Sequence, residues 1–236
     1  MLDLNKIHCM DCLEGMKQLS SNSIDLVVTD PPYNLSTSSA YGDKCNPWGD
    51  ICNSSYWFSA LFKEYLRILK PSGCVWNFTN WRSLPILQKA AFDIGRKLED
   101  VMVWDKVWIG PGGCNGLRPR YELVTLIIGD DFKIEDRGIP DMFECLWSGK
   151  KPTGHPAEKP VKLLKHLISI SGGGVVCDPF MGSGSTAVAA KELGCDFVGF
   201  ELDSGWIDIA NKRLSQSHIG FLDRKSDGLI KWTKHR

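Results

Sequence analysis

The stretch GGGVVCDPFMGSGSTAVAAKELGCDFVGFELD, residues 172–203, reads as a strand, a glycine turn, a helix and a second strand. The first strand, Gly174–Cys177, runs out at Asp178. Gly182 and Gly184 form the turn, and a helix follows over Thr186–Leu193. Glycines let a ligand approach the backbone, and a helix N-terminus favours negative charge. The second strand, Phe197–Phe200, ends at Glu201, seventeen residues after Gly184. That is close to the spacing of about 20 residues at which an acid grips ribose hydroxyls in doubly wound folds. An acid there suits an unphosphorylated ribose. The third glycine of GxGxxG is missing, which counts against NAD. A ligand-free turn in an α/β core is the bland alternative. Asp178, Gly182, Gly184 and Glu201 nevertheless fit one nucleoside-binding geometry.

Outward from this unit, the same alternation of strand-like and helical patterns continues. Lys6–Cys9, Ile24–Thr29, Cys74–Phe78, Val101–Trp104 and Glu122–Ile128 read as strands. Ser55–Leu69, stopped by Lys70-Pro71-Ser72-Gly73, reads as a helix, as do Leu84–Phe92, Lys159–Ile170 and Trp206–Leu214. The expectation is an α/β fold with a doubly wound, mostly parallel sheet. Residues 34–53, 106–120 and 130–155 break the rhythm, and loops that long in a compact domain are usually functional.

The chain of 236 residues suits a single domain spanning residues 1–236. Lys+Arg and Asp+Glu are both 28, so a nucleic-acid partner would need a local basic face. Nine scattered cysteines, no apolar h-region and no apolar run of about 18 residues point to a reduced, cytoplasmic protein. Cys9 and Cys12 make a lone CxxC without a second pair, so no metal site is expected.

A second signal is VVTDPPYNLS, residues 27–36. A strand of β-formers ends on an acid, two prolines and a tyrosine, a stiff and polar corner. Ligands of doubly wound sheets bind outside the carboxyl ends of strands. Both signals follow strands, so both can face one pocket.

Asp30–Tyr33 (DPPY) with Asp178–Thr186 (DPFMGSGST) resembles the β-group of S-adenosylmethionine-dependent DNA amino-methyltransferases, which holds N6-adenine and N4-cytosine enzymes. CMDCLEGMKQL (9–19), LRILKPSG (66–73), GHPAEKPVKLL (154–164) and ELGCDFVGFELD (192–203) extend the likeness over most of residues 5–215. The resemblance implies a Rossmann-like methyltransferase fold with circularly permuted motif order, the catalytic motif first and the cofactor loop last. Lys6–Cys9 would then lie beside the strand ending at Glu201, bringing the chain ends close together.

By this resemblance the chain moves a methyl group from S-adenosylmethionine to an amino nitrogen of a flipped base in double-stranded DNA. Asp30 and the Pro31 carbonyl accept the amino hydrogens, Pro31 and Pro32 stiffen the corner, and Tyr33 stacks on the base. Asp178, Pro179, Phe180, Gly182, Ser183, Gly184 and Ser185 line the cofactor together with Asp30, and Glu201 takes the ribose. Asp11 accepts from the cofactor's adenine amino group. Lys159 pairs with the methionine carboxylate, and His155 sits nearby. Asp at the first motif position favours N6-adenine, since N4-cytosine enzymes more often carry Ser there. The alternatives are N4-cytosine, an RNA adenine methyltransferase and a non-catalytic nucleic-acid-binding module.

No separate target-recognition domain is visible, so recognition falls to loops at 34–53 and 106–151. Trp48, Arg118, Arg120, Lys150 and Lys151 are the candidate DNA contacts. Residues 150–165 hold five lysines against one Glu, and residues 213–236 hold six Lys/Arg against two Asp. Trp57, Trp76, Trp81, Trp104 and Trp108 read as core or pocket wall. No nuclease motif is seen, which suits a solitary restriction-modification methyltransferase, and dimeric relatives add a homodimer to the expectations.

Overall fold

The computed structural model describes residues 2–32, 51–109, 117–147 and 152–216. Fourteen elements follow one another: β1 (Lys6–Cys9), α1 (Cys12–Lys17), β2 (Ile24–Thr29), α2 (Ile51–Ile68), β3 (Leu69–Thr79), α3 (Leu84–Asp93), β4 (Asp100–Asp105), β5 (Tyr121–Ile128), β6 (Met142–Glu144), α4 (Val161–Ile170), β7 (Val175–Asp178), α5 (Ser185–Glu192), β8 (Asp196–Glu201) and α6 (Ser204–Gln216).

The strands form one eight-stranded sheet in the order β1-β8-β7-β2-β3-β5-β4-β6. β5 is antiparallel to both of its neighbours, and every other pairing is parallel. Strand burial on both faces explains the continuous apolar runs, such as Leu26-Val27-Val28, all fully buried. Leu26 and Val28 pack with α4, α5 and α6 on one face. Val27 packs with α1, α2 and α3 on the other. This is the expected doubly wound α/β architecture. The permutation holds too: Cys9 of β1 stands in register with Glu201 of β8.

β7 and β2 are adjacent. The chain leaves β7 through α5 towards β8 on one side, and leaves β2 through α2 towards β3 on the other. Such a reversal opens a crevice at the carboxyl ends of the two strands. Asp178 and Asp30 stand at that crevice.

Three elements differ from expectation. The helix stops before Lys70–Gly73 as expected, but β3 starts at Leu69 instead of Cys74 and takes these residues in through a register shift between Ile24 and Leu26. The approach is so close that a Cβ on Gly73 would lie 2.5 Å from the Asp25 carbonyl oxygen. Residues 130–155, read as loop, contain the edge strand β6, whereas β5 falls on the expected Glu122–Ile128. Trp76 and Trp104 are buried, but Trp81 is 58% and Trp108 38% exposed. Tyr33, Trp48, Lys150 and Lys151 lie outside the described residues.

Candidate active site

Asp178 closes β7 with both carboxylate oxygens engaged. Oδ1 accepts from the Phe180 N–H at 3.0 Å and Oδ2 from the Thr186 hydroxyl at 2.6 Å. Burial pushes its pKa up to about 7 despite the Thr186 and Phe180 bonds, and the nearby Asp30 charge adds to the rise. The side chain thereby ties the start of the turn to the first residues of α5.

The turn itself uses positive φ at Gly182 (52°) and Gly184 (82°), where a side chain would be strained. A Cβ on Gly184 would stand 2.6 Å from that of Ala210 on α6. A Cβ on Gly182 would meet the His155 ring at 3.1 Å, which places His155 over the loop. His155 also meets Trp206 edge-on, with ring centres 4.5 Å apart. Arg213 of α6 donates to the Ser183 carbonyl at 2.7 Å and the Ser185 hydroxyl at 3.1 Å, and pairs with part-buried Glu158 at 3.2 Å. Glu158 accepts in turn from the Thr153 hydroxyl at 2.6 Å. Arg213 thus fastens the HPAEKP segment to the glycine loop.

Glu201 ends β8. Its Oε2 accepts from the Gly182 N–H at 2.8 Å, and its Oε1 from the N–H groups of Leu202 and Asp203 at 2.8 and 2.9 Å. A carboxylate has about four lone-pair sites, so acceptor capacity remains for a vicinal diol. Asp11 caps α1 through Oδ1, from the N–H groups of Leu13 and Glu14 at 2.9 and 3.1 Å. Phe180 packs beside Trp57 of α2, with ring centres 5.9 Å apart.

Asp30, just past β2, has the most unusual surroundings. Lys159 donates to its Oδ2 at 2.5 Å, while its Oδ1 is shut from water with no hydrogen-bond partner. Lys159 also lies 3.5 Å from Glu122 Oε2, an ion pair without hydrogen-bond geometry. Its ammonium sits 5.0 Å from the centre of the Phe78 ring. Glu122 Oε1 accepts from Lys106 at 2.9 Å. Burial raises the pKa of Asp30, with Lys159 opposing it and Glu122 reinforcing it. Burial acts in the same sense on Glu122, but Lys159 and Lys106 outweigh it and hold that pKa down. Burial works against the Lys159 ammonium, but Asp30 and Glu122 outweigh it and hold the lysine charged.

The fold therefore brings together Asp30, Asp178, Glu201, the glycine loop, His155 and Lys159 from distant parts of the chain. Lys159, expected on a cofactor carboxylate, is bonded to Asp30. Arg120 is forked onto Asp105 through two 2.8 Å bonds, and Arg118 donates to the Ile109 carbonyl at 3.2 Å. Glu122, Lys106 and Arg213 were not among the expected site residues. An acid opening the otherwise apolar run ELVTLII was the available signal for Glu122.

The strand-end acids and the glycine turn make a crevice of the nucleoside-binding kind. Three acids flank a loop whose glycines are packed against His155 and Ala210, and both Asp30 Oδ1 and Glu122 Oε2 are buried without a hydrogen-bond partner. The likeness to known proteins agrees. The DNA methylase family profile matches residues 24–137 and 130–212. The chain is 30% identical to the type II methyltransferase M.HinfI of Haemophilus influenzae over 254 residues, covering 90% of this chain and 69% of the relative. It is 26% identical to the type II methyltransferase M.HpaI of Haemophilus parainfluenzae over 242 residues, covering 92% and 76%. In fold it is similar to the M1.HpyAVI–SAM complex, with a TM-score of 0.66, 24% identity, and coverage of 88% of this chain and 98% of that one. It is also similar to the PvuII DNA methyltransferase (cytosine-N4-specific), with a TM-score of 0.71, 18% identity and coverage of 94% and 88%.

Fold and site thus define a doubly wound, S-adenosylmethionine-dependent methyltransferase. More particularly, the chain belongs to the DNA methylase family whose members modify exocyclic N6 or N4 amino groups. Among the described residues no group of acids, cysteines and histidines is placed to hold a metal, and no helix is long and apolar enough to cross a membrane.

Proposed function

We propose that the protein methylates the N6 amino group of adenine in double-stranded DNA, with Asp30 as the acceptor that positions the amine. The observation behind the amine-acceptor role is the division of labour on Asp30, with Oδ2 held by Lys159 and Oδ1 buried without a partner; the choice of adenine rests on Asp at the first position of the DPPY motif. An unpartnered buried carboxylate oxygen is costly, and a substrate N–H relieves that cost.

S-adenosylmethionine, when bound, supplies an electrophilic methyl on a sulfonium. The amine is a poor nucleophile, because its lone pair is delocalised into the ring. Asp30 Oδ1 and the Pro31 carbonyl take its two N–H bonds and turn the lone pair out of the ring plane. Pro31 and Pro32 keep the acceptors rigid. The methyl–sulfur bond would break as the N–C bond forms, leaving a neutral thioether, and the surplus amine proton would pass to solvent. Extruding the base costs a few kcal/mol, and stacking on Tyr33 returns roughly 1–3 kcal/mol. Alignment is worth up to about 7–11 kcal/mol, more than the 10²–10⁴-fold of proton transfer. Positioning therefore dominates at Asp30.

Glu201 binds the ribose hydroxyls of the cofactor, the turn from Pro179 to Ser185 lines its methionine end, and Asp11 meets its adenine. Residues 34–53 and the loop portions of 106–151 read the target within a single domain. Arg118, Arg120 and the lysines at 150 and 151 meet phosphates. A second reading, N4-cytosine, is carried by the fold's likeness to the cytosine-N4-specific PvuII enzyme.

Labelled S-adenosylmethionine with unmethylated genomic DNA, followed by nucleoside mass spectrometry, tests both. N6-methyladenine supports the adenine reading, and N4-methylcytosine replaces it. Asp30→Ala is expected to keep cofactor affinity and lose turnover, and equal loss of both would overturn Asp30's role. Sedimentation of the same preparation shows whether the expected homodimer forms.

A further inference from the structure

We infer that Glu122 and Lys106 are positioning residues for methyl transfer, acting as opposing levers on Asp30 through the ammonium of Lys159. The inference rests on the reading of Asp30 as the amine acceptor. It concerns two residues outside both motifs that define the site.

The geometry is a chain of alternating charge. Lys106 Nζ lies 2.9 Å from Glu122 Oε1, Glu122 Oε2 lies 3.5 Å from Lys159 Nζ, and Lys159 Nζ lies 2.5 Å from Asp30 Oδ2. All four side chains are less than a fifth exposed. Such a chain carries no net charge, but its links are unequal. Lys159 makes its short hydrogen bond to Asp30 and only a long contact to Glu122. Glu122 is held instead by Lys106, which rests over the rings of Trp104 and Trp147 at 5.0 and 5.9 Å. Lys106 therefore occupies Glu122, and Glu122 so occupied leaves Lys159 to Asp30. The result is Asp30 fixed through one oxygen, with the other available.

The charged groups acting on Asp30 are Lys159, Glu122 and Lys106, and Asp178 faces it across the crevice. Removing Glu122 removes a negative charge and a competitor for Lys159, so Asp30 stays ionised to lower pH. Removing Lys106 frees Glu122 to draw Lys159 away, so Asp30 takes a proton at higher pH. A merely structural role would damage both variants alike. Levers move Asp30 in opposite directions.

The test uses the full chain with Glu122→Gln and Lys106→Met. The Asp30 carboxyl is followed by its infrared carbonyl band, identified by its loss in Asp30→Asn. Turnover is followed at saturating S-adenosylmethionine, so that titration of the glycine-loop acid Asp178 through cofactor affinity does not intrude. Both the band's midpoint and the acid limb of turnover are expected to fall by about one pH unit in Glu122→Gln and to rise by about one in Lys106→Met. If both variants shift in the same direction, or neither shifts, the inference is overturned. If Asp30→Asn itself retains turnover, the reading of Asp30 fails first, and the inference with it. Should Glu122→Gln not fold, Glu122→Asp keeps the charge but shortens the reach, and an unmoved band in both it and Lys106→Met overturns the inference.

Discussion

Gly184→Ala is the most direct perturbation of the glycine loop. Gly184 sits at φ 82° and precedes the first residue of α5. Forcing an alanine into this left-handed region costs roughly 1–2 kcal/mol. The new methyl would lie 2.6 Å from Ala210 Cβ and 3.1 Å from its Cα, on a helix face with no exposure. Ordinary carbon contacts are about 3.5–4.0 Å, so α6 must retreat by roughly 1 Å. Overpacking of this kind costs about 1–3 kcal/mol. Together the two terms predict a loss of about 2–5 kcal/mol in urea unfolding. Arg213 lies on the same helix, so retreat also stretches its bonds to Ser183 and Ser185. Cofactor affinity should therefore fall along with stability. Ala210→Gly separates the terms, because it removes the clashing methyl without touching φ. The double variant should recover the overpacking part and retain the strain, giving a coupling energy of about 1–3 kcal/mol. A single variant within about 0.5 kcal/mol of the parent, or strict additivity in the cycle, would refute the close approach of α6 to the turn.

Glu201→Gln should weaken S-adenosylmethionine binding in calorimetry by roughly 10- to 100-fold, about 1–3 kcal/mol, and unchanged affinity would contradict the ribose assignment. Asp178→Asn should flatten the dependence of stability on pH. With its pKa raised to about 7 in the fold, Asp178 keeps a proton that the unfolded chain releases near pH 4. Stability is therefore fully present below about pH 4 and is lost as pH rises through about 7, by up to roughly 1.4 kcal/mol per pH unit. The carboxamide cannot titrate, so parallel stability curves for parent and variant would count against the shift. Arg120→Gln should lower the melting temperature only slightly, because the Arg120 side chain is half exposed in its pair with Asp105. It should lower the salt slope of DNA binding by about one if Arg120 meets a phosphate, and an unaltered slope would remove it from the interface.

Much of this fold was legible because its signals are local. Ile24–Thr29 is bounded as expected, since its apolar run begins after a polar turn and ends at Asp30-Pro31. The glycine turn and the strand-end acids Asp178 and Glu201 could be placed from spacing, because all lie within one strand–turn–helix–strand unit. What escaped is non-local or too short. β6 buries only Phe143 of its three residues, so it has no period to read. Lys70–Gly73 carries turn residues and has no register partner in β2, yet the Gly129 and Asp131 N–H groups, each donating at 2.9 Å to the Gly73 and Pro71 carbonyls, and the Lys70–Asp25 ion pair at 2.8 Å hold it in the sheet. Exposed Trp81 is covered by its own neighbour, with the Arg82 guanidinium 4.5 Å from the ring centre. A tryptophan supported in that way carries no sequence mark separating it from a core tryptophan.

The charge chain shows why the direction of one strand matters to the chemistry. In a parallel sheet only residues at strand ends reach the crevice, because every strand delivers its carboxyl end there. β5 runs the other way, with Leu123 opposite Thr79 of β3 and Tyr121 opposite Asp105 of β4. Its first residues therefore arrive at the edge where β2, β3 and β4 finish. Glu122 is the second residue of β5, and Lys106 immediately follows the end of β4. A single antiparallel strand thus places an acid beside Lys159 that a parallel strand would have carried to the far edge of the sheet. Three lengths of chain, each unremarkable alone, become one electrostatic unit around Asp30. The pKa directions of Asp30 and Glu122 diverge because Lys159 and Lys106 flank Glu122, whereas Asp30 has Lys159 alone as its bonded partner. Burial thus leaves Asp30, the group that must stay ionised to hold the amine, with a raised pKa, while the two lysines hold that of Glu122 down.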